Sequence, residues 1–126
     1  MSNESPADAH LLSGQALAYV GDSVHDLHVR TRAVQSGAPI GAVHRAVVER
    51  VRCAAQSDGL NRIEPLLTPE ELAIVKRGRN SHSHHARPRG TTPMDYSRAT
   101  GLEALLGYLY LTGCEARINA LLDALE

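Results

Sequence analysis

The chain contains no tryptophan and no phenylalanine, and aromatic residues make up only 3% of its 126 positions. Its core must therefore be built from Leu, Val, Ile and Ala. Stacking of bases on exposed rings, the usual device of single-strand binders, is poorly supplied, since only Tyr19, Tyr96, Tyr108 and Tyr110 are present. Cysteine is as scarce: Cys53 and Cys114 stand far apart with no CxxC pairing, which predicts a reduced cytoplasmic protein and not a disulfide scaffold. No apolar run is long enough to cross a bilayer, and the opening Met1-Ser-Asn-Glu-Ser-Pro has neither the basic nor the apolar region of a secretory leader. No stretch sustains the alternation of a β-strand. What remains is an aliphatic, all-α chain whose 43% hydrophobic content is enough for one folded domain.

Strong net charge is also missing, but the formal value of −1 conceals an asymmetry. Between Lys76 and Arg98 lie Lys76, Arg77, Arg79, Arg87, Arg89 and Arg98 against Asp95 alone, whereas the rest of the chain is acidic. A basic stripe on an acidic domain points to a phosphate-bearing partner at that stripe, or else to a solvated basic loop.

Along the chain, residues 1–10 read as a polar tail and 11–126 as the folded domain. Ser13 is placed to cap a helix running to about Gln35, with Leu17, Val20, Val24, Leu27 and Val34 at helical spacings. A second helix is predicted over 41–56, then a turn at Asp58-Gly59 and a short broken helix over 60–67. Thr68-Pro69-Glu70-Glu71 has the form of a capping box opening a helix that ends near Gly78. Residues 81–95 read as a flexible loop with a histidine cluster. Helices over 96–112 and 115–125 complete the chain. The stretch 102–111 is apolar nearly all round with Glu103 its only charge, the pattern of a central helix or a subunit interface, and a homodimer is the expected way to cover it.

Two of the most apolar stretches carry one carboxylate each, beside a helix-interior glycine: Tyr19-Val20-Gly21-Asp22-Ser23 and Glu103-Ala104-Leu105-Leu106-Gly107-Tyr108. An acid among core side chains loses hydration and needs a compensating cation. A helix-interior glycine gives up about 1 kcal/mol against alanine, and close helix approach is a common reason to retain it. If the two segments cross, Asp22 and Glu103 can share a divalent ion. Hard oxygen donors with no paired His or Cys favour Mg²⁺, with Mn²⁺ able to substitute, over zinc. The competing structural reading is a buried ion pair of Asp22 with Arg98 or Arg77. Asp26, one turn beyond Asp22, either joins the acids or pairs with Arg30.

These strings resemble the signature of the ribonuclease III family. With Val75-Lys76-Arg77-Gly78-Arg79-Asn80 and Gly90-Thr91-Thr92-Pro93, the resemblance narrows to its short bacterial branch, Mini-ribonuclease III, which lacks the double-stranded-RNA-binding domain. It covers the chain from about Leu12 to Leu122. It implies a ribonuclease III-like helical bundle forming a homodimer, an endoribonuclease that uses Mg²⁺ to cut double-stranded RNA, and a role in maturing precursor ends of large-subunit (23S) ribosomal RNA. Asp22 and Glu103 match the two motif acids, expected as catalytic and metal-binding. Two further acids of the larger family fall here at Ala18 and Thr100, a reduction shared by the short branch, and a further family glutamate falls at Gln15.

On this reading Lys76, Arg77, Arg79, Asn80, Arg87 and Arg89 contact RNA, the last two reaching toward the minor groove of the A-form duplex. His82, His84 and His85 read as solvated loop residues, and His25 and His28 as polar-face or dimer-contact residues. The alternatives are a non-catalytic duplex-RNA-binding protein of the same fold, disfavoured by the intact acids, and a helical scaffold. The sequence leaves open the cleavage position, the metal count and any assistance from a ribosomal protein.

Overall fold

The computed structural model describes residues 6–81 and 89–125. Six α-helices form the described part: α1 (Gly14–Gln35), α2 (Ile40–Val51), α3 (Cys53–Ile63), α4 (Pro69–Arg79), α5 (Pro93–Leu111) and α6 (Glu115–Leu125), with short 3₁₀ turns at Pro6–Leu11 and Glu64–Leu66. Among the described residues there is no strand, and no helix is long and apolar enough to cross a membrane.

α5 is the axis of the bundle, packed against α1, α3, α4 and α6. Leu102, Leu105 and Leu106 have no exposed surface, and every residue from Ala104 to Leu109 is buried. The all-round apolar pattern is thus satisfied within one chain. The apolar surface left over lies elsewhere: Tyr19 and Leu27 of α1 are 84% and 64% exposed. The pattern of α5 therefore does not call for a second subunit, and exposed apolar side chains lie on α1.

Local signals set several helix ends. Ser13 Oγ accepts from the Ala16 amide at 3.0 Å and starts α1. The capping box at α4 is complete: Thr68 Oγ1 accepts from the Glu71 amide at 3.1 Å, and Glu71 Oε1 accepts from the Thr68 amide at 2.9 Å. Arg117 of α6 grips both oxygens of Glu71 at 2.8 Å, so this cap also ties α4 to α6 and holds the Glu71 carboxyl below its ordinary range. Thr68→Ala is expected to lower stability by about 1 kcal/mol in urea titration, with an unchanged m-value. Gly113, at φ 76°, ends the long α5 as expected.

Four expectations are corrected. Pro6–Leu11 forms a turn within the segment read as a tail. Ala9 is buried there, His10 stacks edge-on against Tyr108, and the Tyr108 hydroxyl donates to Glu70 at 2.5 Å. The single helix over 41–56 is two helices, broken at Arg52 in extended conformation (ψ 148°). No proline or glycine marks that break; packing forces it. α2 buries Val43 and Val47 against Val29 of α1 in a small separate cluster, whereas α3 must turn to put Leu60 and Ile63 into the main core. Asp58-Gly59 lies inside α3, where Gly59 admits Leu125: a Cβ there would come within 2.7 Å of Leu125 Cδ2. Lastly, α5 begins at Pro93, capped by Thr92 Oγ1 accepting from the Asp95 amide at 3.1 Å, so the loop read over 81–95 ends earlier.

Candidate functional site

α1 and α5 meet backbone to backbone. A Cβ on Gly21 would lie 1.6 Å from the Glu103 carbonyl oxygen, and one on Gly107 would lie 2.0 Å from the Leu17 carbonyl oxygen. The two glycines therefore allow a contact that no side chain fits. Asp22 is the next residue after Gly21, and Glu103 lies one turn before Gly107, so the crossing that needs the glycines also delivers the acids.

The outcome is a pair of interacting carboxyls, Asp22 exposed and Glu103 part-buried. Burial is the main reason that the Glu103 carboxyl is pushed up to about 8; the Asp22 charge and a hydrogen bond with Asp22 add to it, and the Gln56 amide opposes it. The arginines of the competing reading are engaged elsewhere. Arg98 bonds Glu64 at 2.5 Å and also Asn61, while Arg77 Nη1 donates to the carbonyls of His10 and Leu12 at 3.0 and 3.1 Å. Asp26 pairs with Arg30 at 3.0 Å, leaving the acid pair to Asp22 and Glu103. Ala18 is buried, and the Thr100 hydroxyl donates to the Tyr96 carbonyl at 2.8 Å, so neither position adds an acid.

The donor set fits a small hard cation. Two carboxylates converge without either candidate arginine between them, and the buried Gln56 Oε1 beside them has no hydrogen-bond partner. Among the described residues no group of three or more His, Cys, Asp or Glu gathers as a metal cage. Two carboxylates are oxygen donors of the kind a hard divalent cation takes, with water and substrate oxygen able to complete its shell.

Metal-free protein has a pH signature. Glu103 binds its proton in the fold up to about pH 8 but releases it near 4.5 when unfolded, so folding takes up a proton between those values and stability falls as pH rises through them. His25 acts oppositely. Burial is the main cause of its lowering to about 4, so its contribution to stability rises with pH between there and 6.5. Above pH 6.5 Glu103 dominates among the described groups, and a loss of roughly 2 kcal/mol is expected between pH 6.5 and 8 in EDTA. Denaturation at the two pH values checks this, and Glu103→Gln should flatten the difference.

Around the pair, α3 brings Cys53 and Gln56. Burial first, then the Glu103 charge, pushes the Cys53 thiol up, and the Thr91 hydroxyl hydrogen-bonds it. The end of α4 reaches α5 one face away from Glu103: a Cβ on Gly78 would meet Ala104 Cβ at 2.6 Å. Lys76, Arg79 and Asn80 are exposed there, Arg77 is half-buried, and Arg89 is exposed after the following loop. Arg87 and the histidines at 82, 84 and 85 lie outside the described residues. His28 pairs with Glu115 at 2.8 Å, but His25 is buried at 4% exposure and is not a polar-face residue. The sequence reading passed over Gln56. Its signal was a polar residue on the apolar face Gln56-Leu60-Ile63, hidden because that helix was read as ending there.

The helical bundle is that of a ribonuclease III domain: the family model described as "Ribonuclease III domain" matches residues 15–113. The chain is 48% identical over 121 residues to the Mini-ribonuclease 3 of Synechococcus sp., covering 96% of this chain and 86% of that one. It is 43% identical over 113 residues to the Mini-ribonuclease 3 of Thermoanaerobacter sp., covering 89% and 79%. A crystal structure of a Fusobacterium nucleatum protein matches with a TM-score of 0.81 at 34% identity, covering 88% of this chain and 90% of that one. The chain belongs to the Mini-ribonuclease III branch of the ribonuclease III family and is an endoribonuclease, of a class that acts on double-stranded RNA.

Proposed function

We propose that this chain is a Mg²⁺-dependent endonuclease of double-stranded RNA that works as a homodimer in the cytoplasm and matures the ends of large-subunit (23S) ribosomal RNA precursors. The observation that carries the metal dependence is the Asp22–Glu103 pair, two carboxyls held together at a cost that a divalent cation would remove. Asp22 and Glu103 hold the ion. When bound, Mg²⁺ makes a water more acidic and offsets charge on the phosphate. Lys76, Arg79, Arg87 and Arg89 neutralise backbone phosphates along the duplex, and Asn80 hydrogen-bonds to that backbone. Arg77 contributes charge from a guanidinium already anchored to the His10 and Leu12 carbonyls.

A homodimer is supported by the unpartnered face of α1. Tyr19 and Leu11 are each 84% exposed, beside an open apolar groove lined by Leu12, Ala16, Val20 and Leu111. Tyr19→Asp is expected to give a monomer by sedimentation equilibrium, where the parent chain sediments as a dimer.

The test uses a hairpin carrying the paired ends of precursor 23S RNA, beside an unrelated duplex of equal length, in Mg²⁺, in EDTA and with Mg²⁺ restored. Expected are discrete cuts on both strands of the precursor stem, abolished by EDTA and recovered with Mg²⁺. Affinity should fall steeply with salt as phosphate contacts are screened. Retention of the duplex without any cut would replace this reading by a non-catalytic RNA-binding protein. Equal cutting of both duplexes would remove the ribosomal assignment alone.

A further inference from the structure

Gln56 is 4% exposed, yet it is not satisfied as a buried amide should be. Its Nε2 donates to the Val51 carbonyl at 2.9 Å and to Glu103 Oε2 at 3.5 Å, and its Oε1 has no partner. The Val51 carbonyl fixes the amide orientation, since the flipped form would set Oε1 against another acceptor. An apolar side chain would fill this position without burying an unpaired Oε1, at the loss of the donor to the Val51 carbonyl, so packing alone does not account for glutamine here. Gln56 also lines a cavity of about 230 Å³ with His25, Val29, Leu102 and Leu122. The break between α2 and α3 serves the same contact: Val51, the last residue of α2, accepts from Nε2, and the turn at Arg52 lets Gln56 face α5.

We propose that Gln56 is a positioning residue for the cation: its amide, braced on the Val51 carbonyl, fixes the Glu103 carboxylate in the orientation in which Glu103 and Asp22 share a divalent ion. The inference rests on the reading of Asp22 and Glu103 as the metal site. Glu103 sits on a long flexible side chain, and Asp22 is exposed, so neither acid by itself sets the geometry of the pair. A buried amide whose Nε2 is braced on a backbone carbonyl does.

The test measures Mn²⁺ binding to the RNA-free protein by loss of the free-ion EPR signal, in parent chain, Gln56→Met and Asp22→Asn. Gln56→Met is expected to bind Mn²⁺ about 10- to 100-fold more weakly, the effect usual for residues that orient a metal ligand. Its kcat on duplex RNA should fall with KM for RNA unchanged, and raised Mn²⁺ should restore it, which a general loss of structure would not allow. Mn²⁺ affinity within twofold of the parent overturns the inference. If Gln56→Met does not fold, Gln56→Asn, too short to span Val51 and Glu103, decides in its place by the same criterion. If the parent binds no Mn²⁺, or Asp22→Asn binds it as tightly, the acid-pair reading itself fails. Binding lost in Asp22→Asn but kept in Gln56→Met sinks only the role of Gln56.

Discussion

Duplex-RNA cleavage is expected to fall by on the order of 10³-fold or more in Asp22→Asn and in Glu103→Gln, while the metal-free variants melt at or above the parent temperature at pH 8. The two halves of this result come from one geometry. The acids interact directly, and Glu103 pays in burial and in repulsion from Asp22 for its charged form. An amide at either position removes that repulsion and keeps the volume, so the fold gains. The same change removes half of a two-carboxylate ligand set, and among the described residues no third acid gathers with the pair to replace it. The effects should not add. Once one carboxylate is gone the cation site is broken, so the double variant should be little slower than either single one. Single-turnover cleavage of a labelled duplex, with melting in EDTA on the same preparations, checks both halves. A variant that lost stability and activity together would make the acids structural.

The opposition of stability and activity also explains which parts of the site could be read from sequence. An acid in an apolar helix is anomalous wherever it occurs, so Asp22 and Glu103 announced themselves, as did Gly21 and Gly107, each a residue that a helix tolerates only for a reason. Helix ends with chemical caps, at Ser13 and Thr68, were equally legible because the signal is local. The break at Arg52 was not, because nothing in the residues around it forbids a helix; only the demand that α2 and α3 face different neighbours ends it. Gln56 was lost with that boundary. The burial of His25 is hidden for a related reason: residues of α3 and α6 line the same cavity as its ring, and no local pattern announces their arrival. The central burial of α5 was legible as a pattern, although the pattern could not say whether a partner or the chain itself would do the covering.

Gly21→Ala and Gly107→Ala are expected each to cost more than about 3 kcal/mol and to abolish Mn²⁺ binding, although alanine is the better helix former by roughly 1 kcal/mol. The sign of the effect is the test. On an isolated helix both substitutions would stabilise. Here the added methyl would sit 1.6 Å from the Glu103 carbonyl oxygen in one case and 2.0 Å from the Leu17 carbonyl oxygen in the other. Both obstacles are backbone, so no rotamer change relieves them, and α1 must move away from α5. That movement opens the core at Leu17, Leu102 and Leu106, all without exposed surface, and it carries Asp22 away from Glu103. Gly37→Ala supplies the control: its φ of 79° is left-handed but nothing lies within 4 Å, so only backbone strain of about 1 kcal/mol is expected and metal binding should be untouched. Urea denaturation and Mn²⁺ titration of the three variants separate the cases. Were Gly21→Ala to stabilise the chain, the two helices would not touch there, and the acids they carry would have no reason to meet.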